Sequence, residues 1–363
     1  MQKRNKAIFA TVTASAFAVS GFQGSAALAS DPTVDCSFAP GAIAVDDNVC
    51  QVSFTETPSG SWSVPNGVSA VDVLLVGGGG GGGSAYYSTT GGGAGEVRVH
   101  HIDLTSITAL DVVVGNGGEQ DQSGAPSRVT EGSSLWEAVG GEPGQSGDFL
   151  SFGGQPVLSD FNADIYRGGS SGNGFAGGHA DVVSNWNGNM WALTVGGGGA
   201  GASEDGGTAL DTRSSDGDVT PGNGGAGLTP TGGLFANNVD QFGGGGGGGV
   251  NADLGVALVG PYGVGGLGGG GNGSDGTNDG QDAVANTGGG GGGAGLSNFG
   301  SGFETRTAAG RGASGYVSIR FEGLAAKKLA ATGSDSNLLA NSAAALLAIG
   351  GVLLARTRRT RKN

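Results

Sequence analysis

The residues able to do chemistry are few, and their spacing suits little of it. Only three histidines occur, His100, His101 and His179. His100 and His101 are adjacent, so on a strand they point to opposite faces and cannot chelate one ion together. No H-E-x-x-H pattern is present. Gly168-Gly169-Ser170-Ser171-Gly172 matches the G-x-S-x-G of a nucleophile elbow. That elbow needs a strand before the serine and a helix after it, and no helical pattern follows here. With 83 glycines in 363 residues, such matches arise by chance, as do several to G-x-G-x-x-G. Between residue 30 and Lys327 there is no lysine at all. The phosphate-binding lysine of a Walker loop is therefore missing, and no Lys–Asn isopeptide or pilin-type lysine can form within the body. We read the protein as a non-enzyme, with no cofactor.

The acidic residues deserve separate treatment. Gly270-Gly271-Asn272-Gly273-Ser274-Asp275 resembles the start of a calcium β-roll repeat, but Thr277 replaces its large apolar residue and no tandem copy follows. Asp275, Asp279 and Gly280 are also spaced as in an EF-hand loop, with Asn286 where the bidentate glutamate belongs. An acidic loop facing solvent is the favoured reading. Asp275, Asp279 and Asp282 stay as calcium candidates, and no metal site is assigned. Tyr86, Tyr87, Trp136, Trp186 and Trp191 are either core residues or anchors for a partner or glycan, the core reading being favoured.

Both ends are patterned. Lys3, Arg4 and Lys6 precede an apolar stretch, Ala7–Val19, and Ala27-Leu28-Ala29 then offers a small-x-small cleavage site. This is the layout of a secretory signal peptide over residues 1–29, with Ser30 as the first mature residue. At the other end, Leu329-Ala330-Ala331-Thr332-Gly333 is followed by a polar spacer, then by the apolar residues 338–355, and last by Arg356, Arg358, Arg359, Arg361 and Lys362. Residues 338–355 as a helix would measure roughly 27 Å, enough for a thin crossing, and the basic tail 356–363 would stay in the cytoplasm. Removing both ends leaves nine basic against 30 acidic residues, a net charge of −21. Such a surface repels nucleic acid and anionic lipid. Cys36 and Cys50 are the only cysteines, and in an exported chain a disulfide is the expected state, adding about 3 kcal/mol for a loop of this size.

The order pentapeptide, apolar stretch, basic tail resembles the cell-wall sorting signal of Gram-positive bacteria. Ala330 stands where the usual Leu-Pro-x-Thr-Gly has proline, which is similar to the Leu-Ala-x-Thr-Gly variant of high-GC actinobacteria. The resemblance implies a class E sortase as partner, cleavage between Thr332 and Gly333, and transfer of Thr332 to peptidoglycan.

Between the ends lies a glycine-rich body. Its glycines fall in runs, among them Gly77–Gly83, Gly91–Gly93, Gly196–Gly199, Gly243–Gly249, Gly268–Gly271 and Gly288–Gly293. There is no collagen period. Short strand signals are interleaved with the runs: Val97–Val99, Leu110–Val114 and Val317–Phe321 alternate, Val71–Val76 is apolar on both faces near its end, and Gln51–Thr55, Gly60–Val64, Leu135–Val139 and Met190–Val195 are further candidates. No long amphipathic helix is visible, so the class is all-β, an antiparallel sandwich. One isolated glycine run would behave as a flexible linker. Several packed side by side can instead form polyproline-II-like helices that exchange backbone hydrogen bonds. Val76, Val195 and Phe242 stand immediately before runs, which favours the packed bundle.

Val73-Leu74-Leu75-Val76 leading into Gly77–Gly83, then Gly91-Gly92-Gly93-Ala94-Gly95, Leu110–Val114 with Gly115-Asn116-Gly117-Gly118, and the close Gly312–Phe321 resemble the bacterial glycine-rich domain. It is similar to the extracellular glycine-rich region of the leukocyte and anaplastic lymphoma receptor kinases. The resemblance implies a jelly-roll-like sandwich carrying a bundle of polyglycine helices, and an extracellular setting. The expected layout is signal peptide 1–29, N-terminal segment 30–50, glycine-rich β domain 51–323, linker with sorting motif 324–337, transmembrane segment 338–355 and tail 356–363. The expected function is display on the cell wall, for adhesion to an extracellular ligand or as a structural coat. A secreted hydrolase with an unrecognised site and a calcium-stabilised binding module are the alternatives.

Overall fold

A computed structural model describes residues 34–325, apart from positions 47, 57–59, 85–88, 146–150, 153–154, 157–165, 184–192, 212–218, 231–240, 251–261 and 298–304. The signal peptide, sorting motif and apolar C-terminal segment expected from the sequence lie outside the described residues. Among the described residues no helix is long and apolar enough to cross a membrane.

Nine strands build two antiparallel sheets. They are β1 (Ile43–Asp46), β2 (Val49–Phe54), β3 (Ser61–Ser63), β4 (Ala70–Val76), β5 (Val97–Asp103), β6 (Ala109–Val113), β7 (Ser127–Glu131), β8 (Ser134–Ala138) and β9 (Tyr316–Glu322). One sheet has five strands in the order β1-β2-β9-β4-β5, the other four in the order β3-β6-β7-β8. The last strand in sequence thus sits at the centre of the larger sheet, between β2 and β4. The domain cannot close until its C-terminal end is in place. Beyond β9, Leu324–Ala325 pairs with Val34–Asp35, so the two ends of the described chain meet. Strand β2 spans the boundary expected at residue 51, so Ile43–Asp46 and Val49–Cys50 are part of the sandwich.

Alternation decides which side chains meet. Val71, Val73, Leu75, Ile102, Val317, Ile319 and Phe321 of the five-stranded sheet share one buried cluster with Trp62, Leu110, Val112 and Val129 of the other. The inner faces of both sheets therefore form a single core. Strand β7 carries little apolar signal, because Val129 is its one large buried residue. It is held by β6 and β8, and a two-residue turn with Gly132 at φ 53° makes the β7–β8 hairpin.

Strand β4 is apolar on both faces because both are covered. Opposite to the sandwich core, Leu74 and Val76 pack with Val97, Tyr316, Ala202 and Phe242 in a second cluster. There the glycine-rich part begins. Val76, Val195 and Phe242, the residues preceding three of the runs, are fully buried.

The runs form a bundle with a three-residue repeat, visible in the hydrogen bonds of Gly77–Gly83. Gly79 and Gly82 donate to Ala313 and Gly310; Gly80 and Gly83 to Gly93 and Thr90; Gly78 and Gly81 to Ala125 and Gln122. In each pair the partner number falls by three, so these neighbours are antiparallel. The carbonyls of the same residues accept from Gly141 and Gly144, from Gly118 and Asp121, and from Gly291 and Ala294. Those partners rise by three, so these neighbours are parallel. A β-strand would repeat its directions every two residues. A repeat of three is that of an extended helix of the polyproline-II kind, here hydrogen-bonded to six neighbouring segments. Gly244–Gly249 repeats the pattern, donating to Gly268 and Gly271, Gly225 and Gly222, and Gly92 and Thr89. At about 1 kcal/mol net per bond, the lattice offsets the entropy of fixing glycine.

Sterics explain why the residue is glycine. A methyl group on Gly82 would lie inside the carbonyl of Gly292, and one on Gly246 inside that of Gly291. Neither position has positive φ. Close approach of neighbouring backbones, rather than an unusual backbone conformation, demands the bare chain.

Candidate functional site

The chemistry-bearing residues are dispersed. His100 and His101 lie on β5, opposite Val73 and Asp72 respectively. His100 is half-buried, its Nε2 is without a hydrogen-bond partner, and its pKa is lowered by burial and by Arg98, against the opposing pull of Glu96. His101 is exposed, with Nδ1 2.8 Å from Asp72 Oδ1. His179 pairs through a single β-bridge with Arg167. The three histidines are not brought together.

Ser170 belongs to the glycine bundle. The flanking Gly169 donates to Gly91, and the Ser170 carbonyl accepts from Glu142. Among the described residues beside it, only the bridge at Arg167 precedes and no helix follows, so these residues do not form the strand–serine–helix turn of a nucleophile elbow.

The calcium candidates are engaged with protein donors. Asp275 Oδ1 accepts from the backbone of Thr277 at 2.8 Å and of Asn278 at 2.7 Å, and Oδ2 accepts from Asn278 Nδ2 at 2.8 Å. Burial raises its pKa, but these bonds outweigh it and hold the carboxyl at about 2. Asp279 Oδ1 accepts from the Ala308 amide, and Asp282 Oδ1 from the Arg311 amide, each at 2.7 Å. Asp282 Oδ2 also meets the Arg311 guanidinium at 3.1 Å. Among the described residues no three His, Cys, Asp or Glu side chains converge as a metal site.

These contacts belong to a wider pattern. Along the outside of the bundle, amide groups without a lattice neighbour are met by side-chain oxygens. Asp205 accepts from Ala176, Glu204 from Ala226, Asn223 from Val264, Asn272 from Gly265 and Asp121 from Ser84. Part of the acidity of the body is therefore structural. The signal is an acid or amide beside a glycine run, which the composition alone cannot distinguish from a solvated surface.

Cys36 and Cys50 form a disulfide, with Cα atoms 5.7 Å apart. Trp136 is half-buried against the sandwich core. Tyr86, Tyr87, Trp186 and Trp191 lie outside the described residues. Among the described residues, two cavities of ligand size are lined by several charged side chains. One, of about 700 Å³, is bounded by Glu119, Asp279, Asp282 and Arg311 at the rim of the bundle. The other, of about 390 Å³, opens over Asp72, His101, Arg320 and Glu322 at the far end of the five-stranded sheet. Sequence reading passed over this second group, whose one signal is a charged or polar residue, such as Asp72 or Arg320, within a strongly apolar strand.

A family model described as a glycine-rich domain matches residues 55–322. The match takes in strands β3 to β9 and every glycine run named above. No curated protein matches the chain.

Proposed function

This chain belongs to the glycine-rich domain family, and from that premise we propose that it is an exported, wall-displayed surface protein without catalytic activity. A signal peptide over residues 1–29 would direct export. The pentapeptide Leu329–Gly333, held by the apolar residues 338–355 and the basic tail, would be cut by a sortase of class E between Thr332 and Gly333. Thr332 would then be joined to peptidoglycan. The body, a jelly-roll-like sandwich with its polyglycine bundle, would serve adhesion or a structural coat.

One observation carries this reading. The strands Val34–Asp35 and Leu324–Ala325 pair, so the two ends of the described chain lie side by side, each a few residues from one of the two processing sequences. Ala29 lies shortly before Val34, and Leu329 shortly after Ala325. Cutting at both places would leave the sandwich and bundle untouched. An extracellular setting also agrees with the Cys36–Cys50 bridge.

Cell fractionation tests the reading. The native protein should be released only by wall-digesting enzymes, and a Thr332→Ala variant should stay in the membrane fraction. Mass spectrometry that found native protein ending at Asn363 would overturn it.

A further inference from the structure

Along one face of the five-stranded sheet the chemistry changes from end to end. Near the bundle this face carries Leu74, Val76, Val97 and Tyr316. At the far end, Asp72 sits opposite His101 on β5 and opposite Arg320 on β9. Residues directly opposite in a sheet share a face, so the three side chains form a row. Glu322, two residues beyond Arg320, lies on the same face and opposite Val49. His101 Nδ1 is 2.8 Å from Asp72 Oδ1, and Arg320 Nε donates to Gln51 Oε1 at 3.1 Å.

The cavity of about 390 Å³ opens over this row, walled by Gly67–Ala70 and by the apolar Val49 and Val68. Its size suits a ligand of roughly dipeptide dimensions. The Arg320 guanidinium is partly dehydrated, and burial lowers its pKa although Asp46 and Asp72 pull the other way. In such surroundings its field is screened less than in bulk water. A concave space with a cationic and an anionic group on one floor complements a ligand carrying both signs close together. A ligand with one charge would gain from one group and be repelled by the other.

We propose that this cavity binds the zwitterionic head of an amino acid or short peptide, carboxylate toward Arg320 and His101 and ammonium toward Asp72 and Glu322. Val49 and Val68 would receive its aliphatic part. The proposal rests on the cavity's chemistry and is independent of wall anchoring. It adds a binding function at the end of the domain from which the chain leaves through Gly323.

Titration calorimetry on the full-length protein in detergent tests it, with alanine and alanyl-alanine as probes. N-acetylalanine and alanine amide are the controls, since each keeps only one of the two charges. Saturable heat from a zwitterion and none from the controls is the expected result, and whether alanine or alanyl-alanine binds more tightly separates a free amino acid from a peptide end. Asp72→Asn and Glu322→Gln should each weaken binding about fivefold or more. A melting curve for each variant establishes that it folds, and Glu322, near a strand end, is the safer substitution. No saturable heat from either zwitterion, equal affinity for a single-charge control, or unchanged affinity in both folded variants would each overturn the proposal.

Discussion

Phe242 lies against Tyr316 with ring centroids 5.4 Å apart and planes 22° from parallel. The contact joins the two halves of the domain, because Tyr316 opens the central strand β9 and Phe242 precedes the glycine run Gly243–Gly249. Tyr316 is fixed from below as well, its hydroxyl 2.6 Å from Ser53 Oγ on β2. A bundle with few large apolar side chains has little hydrophobic stabilisation of its own. It depends on the few large residues through which it is seated on the sheet.

Truncating that seat should therefore loosen the bundle before the sandwich. Phe242→Ala is expected to cost about 3–5 kcal/mol in chemical denaturation. Hydrogen exchange should show where the cost falls. Amides of Gly244–Gly249 should lose protection in the variant, while those of β2 and β9 keep most of theirs. Equal loss everywhere would mean that sandwich and bundle unfold as one unit.

Glycine-to-alanine substitutions separate close approach from chain entropy. At a position that tolerates a side chain, alanine stabilises by about 0.4–1 kcal/mol, by restricting the unfolded chain. Gly60 is such a position, with nothing near the place of a Cβ. At Gly82 or Gly246 the methyl group would occupy the space of a neighbouring carbonyl. Gly60→Ala should be neutral or stabilising, whereas Gly82→Ala and Gly246→Ala should each destabilise by about 3 kcal/mol or more. Melting temperatures of the three variants would decide it.

The same contrast shows what the sequence could reveal. Val317, Ile319 and Phe321 alternate with polar residues, and they form β9 as the pattern predicts. Val76, Val195 and Phe242 mark the places where glycine runs leave packed structure. Within a run the signal disappears, because identical residues carry no hydropathy contrast. The three-residue register between Gly79, Gly82 and their partners Ala313, Gly310 exists only in hydrogen bonds. Strand β7 was equally hard to read, since its place depends on β6 and β8 rather than on its own composition. The amide-capping role of Asp279 and Asp282 depends on which segments lie side by side, and local spacing does not disclose that. Of the expected strand Met190–Val195, the described residues Leu193–Val195 pair with Asp181–Val183, and residues 190–192 lie outside the described residues.

The Cys36–Cys50 bridge spans 14 positions and ties the segment after Val34–Asp35 to strand β2. Both cysteines are buried in the sandwich core beside Val34 and Phe321. Replacing both by serine should lower stability by about 3 kcal/mol, chiefly by freeing the unfolded chain. Reducing agent should lower the melting temperature of the native protein and leave that of the double variant unchanged.

Acid should act at two places, His100 on strand β5 and Asp275 at the rim of the bundle. Asp275 has its carboxyl held at about 2 against an ordinary 3.8, so the folded state binds its proton less readily than the unfolded state does. Its contribution to stability is complete above about pH 4 and is lost as pH falls toward 2. His100, whose pKa lies below the ordinary 6.5, acts in the same direction over a higher range. Its ring is neutral in both states above that value, and protonation favours the unfolded chain as pH falls below it. The melting temperature should decline gently as pH drops below 6.5 and more steeply below pH 4. In Asp275→Asn the steep part should shrink, with lower stability at neutral pH, because an amide oxygen accepts the bonds from Thr277 and Asn278 more weakly than a carboxylate. His100→Gln should remove the gentle part and keep the steep one. Identical pH profiles for wild type and both variants would show that neither group governs the acid response.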